Sequence, residues 1–247
     1  MQTVRRSLLI ALTLLAAPVL AHAAEVKVAV AANFTDTAKI LATAFEKKTG
    51  HKVVQSFGAS GQFYTQIVNG APFEVFLSAD AERPVMLETD GLTVPGSRFV
   101  YAYGKLVLWS ADNRVDAKGA ILAKGPFDKL AIADPAAAPY GVAAVETLKK
   151  MGLYDRLQPK IVKGGNIAQA FTFVSTGAAE IGFIALPQAK TTKGSSWLVP
   201  QSYYTPIDQQ VVLLKTGTNN PAAKAYLAFL KSPEAVKIIR AAGYDLK

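Results

Sequence analysis

The chain has 247 residues, 51% hydrophobic and 18% charged, with 18 Gly and 13 Pro. That is a globular composition able to bury a large core, and it excludes disordered, fibrous and membrane-embedded classes. There is no cysteine, which removes disulfides, thiolate nucleophiles, Cys-based zinc sites and iron–sulfur clusters. Lys and Arg outnumber Asp and Glu by 27 to 18, a net charge of +9 that favours anionic partners in general. The length suits two lobes sharing a cleft at least as well as one lobe.

The first residues read as a targeting segment. Arg5 and Arg6 form a short basic region, residues 8–17 are an apolar run, Pro18 breaks it, and Ala21-His22-Ala23 is a small-x-small cleavage pattern. Residues 1–23 are therefore expected to be a cleaved secretory signal peptide, the strictly apolar stretch being too short for a membrane span. Its removal leaves His51 as the one histidine of the mature chain. A catalytic triad needs a histidine base, and a zinc site needs several ligands. His51, following helix-ending Gly50, reads as a solvated loop residue. No G-x-S-x-G, H-E-x-x-H, P-loop or G-x-G-x-x-G pattern occurs, so the chain is expected not to be an enzyme.

Along the mature chain, Val26, Val28 and Val30 mark a strand over residues 25–31. A helix follows with Ala38, Leu41 and Phe45 on its apolar face, stopping at Gly50. A second strand covers 52–57, a helix carrying Phe63, Tyr64, Ile67 and Val68 runs to Gly70, a third strand covers 73–77, and a helix with a turn fills 79–92. This β-α-β-α-β-α order predicts parallel strands with right-handed crossovers. Residues 99–110 are strand-like, interrupted at Gly104, and are the natural place to cross between lobes. A second α/β series follows: strands over 130–133, 160–162, 181–184, 197–199 and 210–214, and helices from Pro139 to Met151 and from Ile167 to Ser175. Asn220-Pro221 and Ser232-Pro233 each place an N-cap before an N1 proline, predicting two closing helices.

Four junctions share one style, a strand end, small or polar residues, then a helix: Ala32-Asn33-Phe34-Thr35, Gly58-Ala59-Ser60-Gly61, Ala138-Pro139-Tyr140-Gly141 and Gly164-Gly165-Asn166-Ile167. Helix-start N–H groups lack intrahelical acceptors and sit at the positive end of the helix dipole, so they can hold an anion. Taken singly, Asn33, Ser60 and Asn166 are N-caps and the glycines are turn residues. Taken together, two such loops in each half could converge on one ligand beyond the carboxyl ends of the strands. None of the quartets contains Lys, Arg, Asp or Glu. Neutral donors without an acceptor prefer a fully deprotonated dianion, although Asp36 lies close by in sequence. For Tyr140 only the backbone N–H is assigned a role.

Val28-Ala29-Val30-Ala31-Ala32-Asn33-Phe34, the stretch from Val53 through Gly58-Ala59-Ser60-Gly61, Gly70-Ala71-Pro72-Phe73-Glu74-Val75-Phe76-Leu77-Ser78-Ala79-Asp80, and Asp134-Pro135 with Pro139-Tyr140-Gly141 resemble the periplasmic molybdate-binding proteins of ABC importers. The similarity spans essentially the whole mature chain. It implies an α/β, two-lobed periplasmic binding protein of the type II-like kind, each lobe a mainly parallel sheet flanked by helices. Lobe 1 would be discontinuous, residues 24–104 and 206–247, with lobe 2 at 105–205. It implies a periplasmic monomer that binds molybdate or tungstate by hydrogen bonds alone, with no cofactor, no metal cation ligand and no nucleic acid, and delivers it to a membrane permease. Asn33 and Ser60 resemble first-lobe ligands through side chain and backbone, with Ala59 close by, and Tyr140 and Ile167 resemble backbone donors of the second lobe. Some members carry Ser in place of Asn33 and a Tyr hydroxyl near the position of Ala185, so this chain is similar to the Asn-containing branch. Receptors for sulfate or another oxyanion, or a secreted enzyme using Ser60 with Lys163 or an acid as base, are the alternatives.

Overall fold

The computed structural model describes residues 23–246, so the leader read from the sequence lies outside it except for its last residue. The first half contains β1 (Glu25–Ala31), α1 (Thr35–Thr49), β2 (Lys52–Gly58), α2 (Ser60–Val68), β3 (Val75–Leu77), α3 (Glu82–Thr89) and β4 (Phe99–Gly104). Then come β5 (Leu106–Ser110), α4 (Ile121–Lys124), β6 (Leu130–Ala133), α5 (Pro139–Lys150), α6 (Tyr154–Leu157), β7 (Ile161–Gly164), α7 (Ile167–Ser175), β8 (Ile181–Ala185), α8 (Leu186–Lys190) and β9 (Ser195–Leu198). The chain ends with β10 (Ile207–Leu213), α9 (Pro221–Leu230) and α10 (Pro233–Ala242). No helix among the described residues is long and apolar enough to cross a membrane.

Two five-stranded sheets result, in the orders β2-β1-β3-β10-β4 and β7-β6-β8-β5-β9. In each, three neighbouring strands are parallel, while β10 in the first and β5 in the second run against both of their neighbours. The chain passes from the first sheet to the second through Lys105 alone, and returns between Leu198 and Ile207. The architecture is thus the two-lobed α/β fold expected, with one reversed strand per sheet where crossing segments are accommodated.

Helices on both faces explain why β1 alternates at its start but is buried on both sides from Val28 to Ala31. Val26, Val28 and Val30 pack with Phe34, Leu41, Phe45, Tyr226 and Ile239, while Ala29 faces Phe63, Phe76 and Leu87 on the other side. Local signals set the helix limits. Gly50 ends α1 at φ 74°, a left-handed conformation that costs glycine no Cβ clash. Asn220 Oδ1 accepts from Ala222 N at 2.9 Å and Ser232 Oγ from Ala235 N at 3.3 Å, each before an N1 proline.

Three differences from the sequence reading have physical causes. The strand expected at residues 210–214 begins earlier, at Ile207, because Asp208 and buried Gln209 interrupt the apolar pattern while still pairing with β4. Helices α4, α6 and α8 span only four or five residues, too short for a periodic signal. His51 lies in the loop after α1 as read, but it is half-buried rather than fully solvated: its Nδ1 accepts from Ala24 N at 3.1 Å, and its ring lies 6.2 Å from that of Phe45.

Candidate ligand-binding site

The four junctions meet. β1 runs into a one-turn 3-10 helix at Ala32–Phe34, and β2, β6 and β7 lead to the starts of α2, α5 and α7. Asn33, Ser60, Tyr140 and Ile167 all line one narrow cavity of about 10 Å3, together with Ala31, Ala32, Gly58, Ala59, Ala79, Ala138, Pro139 and Asn166. Two loops come from each sheet. The four residues are 4%, 1%, 1% and 3% exposed in that order, and Gly61 N donates to Ala137 O at 2.9 Å across the seam. The lobes are therefore closed over the cavity.

Ser60 is arranged as a donor. Its Oγ accepts from Ala79 N at 2.9 Å, which occupies the acceptor side of the hydroxyl and leaves its hydrogen to point elsewhere. Ser60 also opens α2, so its N–H has no intrahelical acceptor. Tyr140 and Ile167 stand in the first turns of α5 and α7, and their N–H groups are unpaired within the helix for the same reason. Asn166 fixes the start of α7, its Oδ1 accepting from Gln169 N at 3.0 Å.

Asn33 differs from the expectation. Its Nδ2 donates to Gln209 Oε1 at 2.7 Å and to Tyr244 Oη at 3.1 Å. The Tyr244 hydroxyl donates its one hydrogen to Asn33 O at 2.7 Å, so it must accept from the amide nitrogen, which fixes the orientation of the side chain. Both Nδ2 hydrogens are thus used inside the first lobe, which leaves the backbone N–H as the donor that Asn33 could offer a ligand. Gln209 and Tyr244 went unnoticed in the sequence because they are 176 and 211 residues away from Asn33. Ala79, by contrast, sits within the Gly70-to-Asp80 run already singled out there.

One close approach sets the height of α5. A Cβ added at Gly141 would lie 2.2 Å from Ala133 O, 2.8 Å from Ala133 C and 2.9 Å from Pro135 N. All three are backbone atoms, so only glycine lets the start of α5, which carries Tyr140, seat this closely against the end of β6.

Among the described residues the lining holds no Asp, Glu, Lys, Arg or His. Asp36 lines a neighbouring space with Thr37 and Gln188 instead. Lys163 has a 56% exposed side chain, 4.0 Å from Asp134, and Arg83 is ion-paired with Asp80. Ala185 does not line the cavity; its N–H donates to Gln188 Oε1 at 2.9 Å. No cluster of His, Cys, Asp and Glu suited to a metal cation occurs among the described residues. Burial pushes the Tyr140 phenol well above its ordinary value, with the Tyr244 and Tyr204 hydroxyls adding and Asn33 opposing. It therefore stays neutral. What this arrangement can do chemically is surround a dehydrated anion with fixed neutral donors.

The bacterial extracellular solute-binding protein family matches residues 26–245. The molybdate-binding protein ModA of Rhodobacter capsulatus is 59% identical over 226 residues, 91% of this chain and 89% of that protein. Its namesake from Azotobacter vinelandii is 56% identical over 232 residues, 92% of each. Among solved structures, the Azotobacter vinelandii periplasmic molybdate-binding protein superposes with a TM-score of 0.87 at 46% identity, covering 90% of this chain and 99% of that one. From its first strand to its last helix the chain belongs to the bacterial extracellular solute-binding protein family, and within it groups with the molybdate-binding proteins.

Proposed function

We propose that this protein captures molybdate, and tungstate, in the periplasm as a monomer and delivers it to the permease of an ABC importer. The observation that carries the reading is the convergence of neutral donors from both lobes on one enclosed cavity without a charged lining residue. Ser60, through Oγ–H and N–H, and Asn33, through N–H, act from the lobe formed by residues 24–104 and 206–247. Tyr140 and Ile167, through N–H, act from the lobe at 105–205. The open form admits the dianion, hinge closure replaces its water shell with these donors, and the closed form is the one presented to the permease. Size selects the ligand. Sulfate carries the same charge and shape on shorter bonds, so size is the property by which the two could be told apart.

A second reading, hydrolysis by Ser60, lacks a base: Lys163 stands outside the cavity lining, and the partner of Ser60 Oγ is the Ala79 amide. Melting the protein with molybdate, tungstate, sulfate and phosphate in parallel tests the proposal. A ligand at about 100 times its Kd adds about 2.7 kcal/mol, which raises Tm by roughly 5–10 °C in a chain of this size. Shifts confined to molybdate and tungstate are expected. Equal shifts with sulfate would make it a broader oxyanion receptor, and no shift with any of them would end the reading. Trp109 and Trp197 are both buried in the core of the second lobe, so melting is a better readout than tryptophan emission.

The affinity should also be flat between about pH 6 and pH 9. No carboxylate, histidine or amine lines the cavity. A phenol raised above its ordinary value of about 10 keeps its proton throughout that window. Titration calorimetry across the range checks this, and a change of about ten-fold would reveal an ionising group at the ligand.

A further inference from the structure

Tyr140 lines the cavity, and its side chain reaches the crossing between the lobes. A Cβ built on Gly104 would lie 2.3 Å from the Tyr140 hydroxyl and 3.0 Å from its Cζ, and 3.0 Å from Ile207 Cγ2. The phenol thus fills the space that any side chain at position 104 would need. Gly104 is the last residue of β4, separated from β5 by Lys105 alone, and Ile207 is the first residue of β10; the two are paired across the sheet. Both passages of the chain between the lobes therefore run side by side under the tip of Tyr140. Gly104 is not among the glycines with positive φ, so the position needs glycine for room rather than for backbone freedom. Tyr140 is 1% exposed, and its hydroxyl, although close to the Asn33 side chain, completes no hydrogen bond of ordinary geometry among the described residues.

We propose that Tyr140 is a positioning residue that couples the ligand to the hinge. Its N–H meets the oxyanion while its phenol, lodged against Gly104 and Ile207, seats only when the lobes are closed. The inference rests on the reading of the cavity as an oxyanion site. A buried hydroxyl without a partner is costly and becomes hydrated when the lobes part. The closed form is accordingly disfavoured until an anion compensates, which keeps the empty protein open and helps release at the permease.

Three variants test this with effects of opposite sign. Tyr140→Phe removes the unpaired hydroxyl, so it should bind molybdate about ten-fold more tightly, with slower dissociation in stopped-flow mixing. Gly104→Ala blocks the seat of the phenol and should bind about ten-fold more weakly or worse. The double variant should recover much of that loss, because the 2.3 Å conflict with the hydroxyl is gone and only the 3.0 Å approach to Cζ remains. Ligand-free melting confirms that each variant is folded. Weaker or unchanged binding by Y140F, unchanged binding by G104A, or strictly additive effects in the double variant would overturn the coupling. If the wild-type protein itself binds no molybdate, the reading of the cavity falls and takes this inference with it. If the wild type binds and the variants match it, the coupling alone falls.

Discussion

Replacing Ser60 with alanine is expected to lower the affinity for molybdate by about 10- to 100-fold. The hydroxyl is a neutral donor to a charged acceptor, and such bonds contribute about 1.5–3 kcal/mol. The same substitution has a second effect that can be measured apart from the first. Ala79 N–H loses its acceptor, Ser60 Oγ at 2.9 Å, and Ala79 is 2% exposed, so water does not readily replace it. An orphaned buried amide costs about 1–3 kcal/mol, which for a chain of this length lowers the ligand-free Tm by roughly 2–10 °C. Calorimetric titration at a temperature where both proteins are folded reads the affinity, and scanning without ligand reads the stability. An affinity equal to that of the wild type would remove Ser60 from the site, whatever the melting curve shows. A lost affinity with an unchanged Tm would mean that Ala79 finds another acceptor.

Gly141→Ala is expected to have the larger combined effect. The added methyl would sit 2.2 Å from Ala133 O, against an ordinary contact of about 3.5 Å or more, and neither partner is a side chain that can rotate away. The start of α5 must therefore lift from the end of β6 by about 1 Å. Overpacking of this kind costs about 1–3 kcal/mol. The lift also carries the Tyr140 N–H away from the cavity and drags the phenol from its seat at Gly104, and a misplacement of about 1 Å in a preorganised site costs on the order of 100-fold. Val142→Ala, one residue further on and 40% exposed, should change affinity and Tm very little. Titration and melting of the pair separate a requirement at one position from general damage to the helix. If G141A and V142A behave alike, the close seating of α5 is not what places the donor.

The local parts of the fold were legible because each depends on residues a few positions apart. The apolar alternation of β1, the spacing of Ala38, Leu41 and Phe45, Gly50 after α1, and the Asn220-Pro221 and Ser232-Pro233 starts all act through the nearest turn of chain. Helix α7 was delimited residue for residue, from Ile167 to Ser175, since Asn166 caps it directly. The four junction quartets were visible for the same reason, and so was the absence of charge within them. Where β10 begins was obscured. Gln209 is fully buried between Asp208 and Gln210, so the first half of the strand reads as polar, and its Oε1 accepts from Asn33, 176 positions away.

By itself, then, the amino-acid order determined most of the strands and the longer helices, where α5, α7, α9 and α10 start, and that helix-start amides with neutral neighbours recur four times. Tertiary structure alone decided that these starts share one cavity, that Asn33 turns its amide toward Gln209 and Tyr244, that Ala79 orients the Ser60 hydroxyl, and that the Tyr140 phenol lies on Gly104. The division is physical. Propensity, capping and periodicity are interactions between neighbours along the chain. A binding cavity depends on the relative placement of two sheets joined by strands that cross at Gly104 and Ile207, and no short window of sequence contains both sides of such a contact.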